Sequence, residues 1–260
     1  MDYTLSKYRQ LLESLSNAGY EFYTLEQYLA AKDLPLEWNP SRIAILRHDV
    51  DKDPDRSLVM AQLEAEMGIQ SSYYFRCVKQ SNHPSIIHAI ADLDHEIGYH
   101  YEDMSLCHGD IDAAMQHFVK WLNYFRNFYN VRTICMHGAP TSKYDSRELW
   151  KKYDYHQYGI MGEPYFDIDY AEFFYLTDTG RRWDGYKVSM RDKIPQYQDE
   201  WTRKGLTFHT TDELISADLP AKILITTHPQ RWTDNYFDWT VEYISQSLKN
   251  IVKRLLIHAG

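Results

Sequence analysis

Apolar residues recur at two spacings along this chain, and the alternation between them lays out its elements. Leu5, Tyr8, Leu11, Leu12 and Leu15 return every three or four positions, one face of a helix, and Gly19 is a fitting stop. Thr24 followed by Gln27 has capping-box spacing and predicts a second short helix. A loop carrying Pro35 and Pro40 leads into Ile43-Ala44-Ile45-Leu46, an unbroken apolar run of strand length. Leu58 to Met67 returns to helical spacing and Gly68 closes it. Further strands are predicted at Tyr73-Tyr74-Phe75, Glu96 to Tyr101, Thr133 to Met136, Glu172 to Leu176 and Lys222 to Thr227. Between and after them, helices are predicted over Ser85 to Leu93, Ile111 to Tyr129, Arg147 to Lys152 and Tyr236 to His258.

Strand–helix alternation at this density implies an α/β fold of parallel strands with crossover helices, either a barrel or a doubly wound sheet. No repeat, low-complexity tract or Gly/Ser linker marks a boundary, so residues 1–260 read as one domain. Composition narrows the function classes. The net charge is -9 with His neutral, which disfavours a nucleic-acid partner, because phosphate binding needs a positive surface. No stretch approaches the roughly 20 apolar residues of a membrane span. Met1 to Lys7 lacks the charged-then-apolar order of a secretion signal. Cys77, Cys107 and Cys135 have no paired spacing; they read as free thiols, small and apolar, and predict a cytoplasmic protein. Twelve His and 22 Tyr are the compositional extremes, candidates for metal and proton chemistry and for sugar stacking.

The chemistry-bearing residues gather just after strands: Asp49 and Asp51, His100, His137, Asp178 and His228. In α/β barrels the C-terminal strand ends converge on one site. Period-two alternation puts Asp49 and Asp51 on one face, where one carboxylate could ligate a cation and the other act as base. The alternative is a cap and turn, a role assigned to Asp53 and Asp55 at the start of the next helix. A calcium loop through Asp49, Asp51 and Asp53 fails, since Pro54 stands where Gly is needed and Met60 where Glu is needed. In His95-Glu96-Ile97-Gly98-Tyr99-His100 the two histidines point oppositely; His100 is the ligand candidate, His95 a structural histidine, and Gly98 leaves room beside the site. His137, in Met136-His137-Gly138-Ala139-Pro140, is a ligand, a substrate contact or a turn residue. Asp178 could orient a catalytic His and Trp183 stack on a sugar, or both belong to a polar turn. His228, after a buried strand and before Pro229, suits a general acid. Paired zinc-protease histidines, a Gly-rich phosphate loop and a Gly-x-Ser-x-Gly elbow are absent from the sequence.

This ordered set resembles the polysaccharide deacetylase family, the NodB-homology carbohydrate esterases. Asp49 and Asp51 look like the acidic pair of its first motif. Glu96-Ile97-Gly98-Tyr99-His100 is similar to the second, His137 to Pro140 to the third, Asp178 with Trp183 to the fourth, and Leu224 to His228 to the fifth. The resemblance implies a distorted (β/α) barrel of about seven parallel strands, with the N-terminal helices of residues 1–40 packed on it. It implies a divalent metal, Zn²⁺, held by Asp51 and His100, with His137 the candidate for a further ligand. Asp49 would be the base, His228 the acid and Asp178 its partner, with Pro140, Trp183 and Trp232 contacting substrate. The substrate implied is an N-acetylated sugar or a surface-polysaccharide precursor. Two positions depart from the family. Met104 stands where its second metal-binding His falls, a gap for His137, His108 or Asp103 to fill, and His137 stands where it has Arg. Two other readings follow from the same residues: an amidohydrolase acting on a small non-sugar amide, and a non-catalytic barrel that binds glycans.

Overall fold

In the computed structural model, residues 1–32, 40–187, 189 and 191–259 are described, with side chains through 251. Pro35 therefore lies outside the described residues. The N-terminal segment supplies α1 (Leu5–Asn17), β1 (Glu21–Tyr23) and α2 (Leu25–Ala31). Thr4 caps α1 by accepting from Lys7 N–H, and Thr24 and Gln27 close the expected capping box on α2. The apolar face of α1, through Tyr8, Leu11, Leu12 and Leu15, enters one continuous core with strands of the sheet.

Next come β2 (Ile43–Val50), α3 (Pro54–Glu66), β3 (Ser72–Phe75), α4 (Pro84–Ala91) and β4 (Glu96–Tyr101). They are followed by α5 (Asp103–Leu106), α6 (Ile111–Phe125) and β5 (Ile134–Met136). The last stretch carries α7 (Pro164–Asp167), β6 (Phe174–Thr177), α8 (Pro195–Arg203), α9 (Thr211–Ile215), β7 (Lys222–Thr227) and α10 (Tyr236–Ala259). Among the described residues every strand pair is parallel, in the order β5-β4-β3-β2-β7-β6, with β1 pairing along the start of β2. The expected parallel α/β architecture of seven strands is thus present as a half-barrel with flanking helices. All eight residues of β2 are buried, as a strand covered on both faces requires. Between the outer strands β5 and β6, Gly162 makes a bridge to Thr133, and the buried Glu163 carboxylate accepts from Met136 N–H on the open edge of β5.

Some boundaries differ from expectation. The helix expected to Tyr129 stops at Phe125, where the Asn127 amide donates to the carbonyls of Asn123 and Tyr124. The helix expected over Arg147 to Lys152 is a 3₁₀ turn over Ser146–Lys151, with Lys152 just past its end. Asp53 precedes α3 in a left-handed conformation but its side chain caps nothing, which corrects the role given to it. No helix among the described residues is long and apolar enough to cross a membrane.

Candidate metal centre and catalytic cleft

Along β2 and just past its end, Arg47, Asp49 and Asp51 occupy alternate positions and line one cleft at the C-terminal end of the sheet. His48 leaves the opposite face, where its Nδ1 meets Thr227 Oγ1 at 2.6 Å. The cleft encloses about 520 Å³ continuous with solvent and receives His100 from β4, His137 from the end of β5 and His228 from the end of β7. Strand β3 separates β4 from β2, two spacings of nearly 5 Å each. The sheet's curl nevertheless brings His100 Nε2 to 3.6 Å from Asp51 Oδ1 and 3.7 Å from Asp49 Oδ2.

Asp51, His100 and His137 form one group able to hold a metal ion. His137 Nε2 lies 3.4 Å from Asp51 Oδ1. A tetrahedral ion with bonds near 2.0–2.1 Å sets its donors roughly 3.3 Å apart, so these separations fit without rearrangement. The imidazole tautomers agree. His100 Nδ1 lies 2.9 Å from the Cys135 carbonyl, which can only accept, so Nδ1 carries the hydrogen and Nε2 presents its lone pair. His137 Nδ1 likewise donates to Glu102 at 2.9 Å, and Glu102 is fixed by Arg76. Burial pushes the His100 imidazole down to about 4, so it stays neutral, as a ligand must be. Asp51 Oδ1, which faces both Nε2 atoms, is buried and has no hydrogen-bond partner. Such an orphaned carboxylate oxygen is uncommon in a folded protein, and a cation between the three donors would satisfy it. Burial alone would raise the Asp51 carboxyl; His137, His228 and His100 outweigh it and hold it at about 2.

His137 thus occupies the position expected of a third donor. Met104 is buried in the core, His108 is exposed, and Asp103 is bonded to Tyr99 and His117, so none of these three fills the gap. A second group, Asp49, His100 and Cys135, also converges, but burial holds the Cys135 thiol well above its usual range and Arg47 occupies Asp49.

Arg47 grips Asp49 with two bonds, Nε to Oδ1 at 2.8 Å and Nη2 to Oδ2 at 2.6 Å. Against the cost of burial, that guanidinium and His100 keep the Asp49 carboxyl far below the usual carboxylate range. Across the cleft, the buried Asp178 accepts from His228 Nδ1 at 2.6 Å, from His228 N–H at 3.0 Å and from Trp232 Nε1 at 2.8 Å. Arg231 Nη1 crowds the same corner, 2.5 Å from Asp178 Oδ1 and 2.7 Å from His228 Nδ1. An Nδ1 that donates to Asp178 cannot also accept, so the guanidinium's bond is to the carboxylate. His228 Nε2 is left facing the cleft, 3.9 Å from Asp51 Oδ2. Burial and Arg231 both disfavour its charged form, yet the Asp178 charge and hydrogen bond, with Asp51, raise its pKa on balance.

Pro140 lines the cleft, on a turn that Arg191 pins by donating to the carbonyls of Gly138, Ala139 and Ser142. The two tryptophans expected to stack on sugar do not line it. Trp183 is 4% and Trp232 1% exposed; their rings pack in the core and their N–H groups are spent on Thr211 and Asp178. Trp232 therefore orients Asp178. Gly98 gives its space to the Tyr74 ring: an added Cβ would stand 2.3 Å from Tyr74 Cε1. His95 is structural as expected, its Nε2 2.9 Å from the Ala61 carbonyl. Arg47, Glu102, Arg231 and Arg191 were not anticipated. The first two share a face with Asp49 and His100 by the same period-two rule, a signal present but unused.

No protein-family model matches the chain, and no curated protein matches it. Among solved structures, the chain is similar to the Streptococcus pyogenes deacetylase PplD in complex with acetate, at 14% identity and a TM-score of 0.40. The likeness covers 50% of this chain and 60% of that one.

Proposed function

We propose that this protein is a metal-dependent hydrolase that removes N-acetyl groups from a carbohydrate. The observation that carries this reading is the convergence of Asp51, His100 and His137, with both Nε2 lone pairs turned to an orphaned carboxylate oxygen. Two imidazoles and one carboxylate, with further positions open, suit Zn²⁺. When bound, the ion supplies Lewis acidity to the scissile carbonyl and to the attacking water.

The remaining steps belong to side chains. Asp49, held ionised in the resting site by Arg47, accepts the proton released as water adds to the carbonyl carbon. The fork from Arg47 lowers its basicity but holds the carboxylate in one orientation. His228, protonated at Nε2, delivers its proton to the departing nitrogen as the C–N bond breaks, since an amide nitrogen is otherwise a very poor leaving group. Asp178 and Trp232 hold that ring in one orientation. Pro140 lines the cleft as a substrate contact. The open cleft and the Asp/His pairing across it suit a sugar-borne acetamide reaching in from solvent. A surface-polysaccharide precursor is the substrate class proposed.

Metal analysis of the purified protein, paired with acetate release from a panel of N-acetyl sugars and simple amides, tests this. About one equivalent of metal and release from sugars alone are expected. A metal-free protein would sink the metal-centre reading, and release from simple amides only would reassign the substrate. Asp49→Asn and His228→Ala should each lower the rate roughly a hundredfold or more.

A further inference from the structure

The helix α10 is built inside out. A surface helix ordinarily turns its apolar stripe to the body it packs on. Here Glu242 and Gln246 face inward and are buried, Glu242 beside Lys52 at 3.3 Å, and Asn250 donates to the Gly180 carbonyl. Phe237, Val241, Ile244, Leu248 and Ile251 point to solvent, each more than half exposed. Their spacing is four, three, four, three, the repeat by which one helix packs along another. A single exposed Leu needs no explanation; a continuous stripe over four turns does.

We propose that α10 is a dimerisation helix, pairing antiparallel with α10 of a second copy of this chain through that stripe. Two observations favour a second copy. The stripe contains no charge, so an identical surface meets it without repulsion. Antiparallel pairing of two identical helices also opposes their dipoles, which parallel pairing would align. Five such side chains expose roughly 600 Å², and two copies roughly 1,200 Å², the lower end for a specific protein–protein interface. The pairing reaches the site as well. Glu242 and Gln246, on the inward face of α10, wall the groove that runs on from Asp51 and His137, so fixing α10 fixes that wall.

Light scattering and cysteine cross-linking of the full chain test this. The wild type should run at twice its 31.0 kDa mass, and the Val241→Glu/Ile244→Glu variant at the single-chain mass with unchanged circular dichroism. Under mild oxidation, Ile244→Cys, at the middle of the stripe, should cross-link copy to copy beyond the wild-type background. Phe237→Cys, at its end, should not. A wild type of single-chain mass, or cross-linking through Phe237→Cys alone, overturns the proposal. So does a monomer that binds phosphatidylcholine–phosphatidylglycerol vesicles through the stripe, which would assign the face to a lipid surface.

Discussion

His137 Nδ1 donates to Glu102, and that bond aims Nε2 at Asp51. Removing the ring leaves two donors, too few for a structural-quality site. His137→Ala should therefore lose most of its metal on dialysis while His137 wild type keeps it, measured by elemental analysis. Adding Met104→His in the same background should not restore it, because Met104 points into the core beside α6 rather than into the cleft. His228 gives a second residue-scale expectation. Its pKa is raised by Asp178, so the acid form needed for proton donation persists to higher pH and is lost as pH rises through that value. Asp178→Asn removes the carboxylate while Arg231 stays, so the alkaline limb of acetate release should move to lower pH, with a fall in rate of roughly tenfold or more. An unmoved limb would detach His228 from the acid role. At this scale the sequence exposed the residues proposed for metal and proton chemistry, but not the groups that position them. Arg231 and Trp232 reach Asp178 across more than fifty positions, a distance that no local pattern encodes.

Among elements, β4 pairs closely with β3 beside His100 because Gly98 leaves its space to the Tyr74 ring. Gly98→Ala would set its Cβ 2.3 Å from Tyr74 Cε1 and 3.1 Å from the Thr133 carbonyl, forcing β3 and β4 apart. A cost of about 1–3 kcal/mol is expected, read from the urea midpoint, together with weaker metal retention as His100 shifts. Equal stability and metal content would mean that the ring swings away freely. The strands that carry chemistry were legible because parallel strands buried on both faces are apolar runs, and polar residues begin where each run ends. The strand β1 escaped, as did the short helices α5, α7, α8 and α9: Glu21–Tyr23 is three residues long and half-polar, and only its register with Ile43 to Ile45 makes it a strand. The tryptophans were misplaced for a related reason. Residue type says that an indole can stack on a sugar, but which side of a loop faces the cleft depends on packing from α1 and α9, far away in sequence.

For the molecule as a whole, the two apolar cores meet at a buried charge. Glu64 on α3 accepts from Tyr8 of α1, from Ser71 at 2.5 Å and from Tyr73 of β3 at 2.8 Å, with His48 Nε2 of β2 2.8 Å away. Tyr8 belongs to one core and Tyr73 to the other. His48 also reaches Thr227, the residue before His228, so this cluster backs the strand ends that carry both proposed proton-transfer groups. Burial would raise the Glu64 carboxyl, but His48, His95 and the Ser71 hydroxyl overrule it and hold the carboxyl at about 2. The unfolded chain has the ordinary value near 4.5. A folded-state pKa below the unfolded one contributes stability that is fully present above about 4.5 and is lost as pH falls toward 2. Over that span the loss from this group is roughly 3 kcal/mol. Glu64→Gln should already lack the contribution at neutral pH, since its amide cannot accept from all three hydroxyls at once. Its stability should then fall less steeply than the wild type's between pH 4.5 and 2. Denaturant titrations of both proteins across that range decide the matter: parallel slopes would show that the acid sensitivity of the fold resides in some other carboxylate.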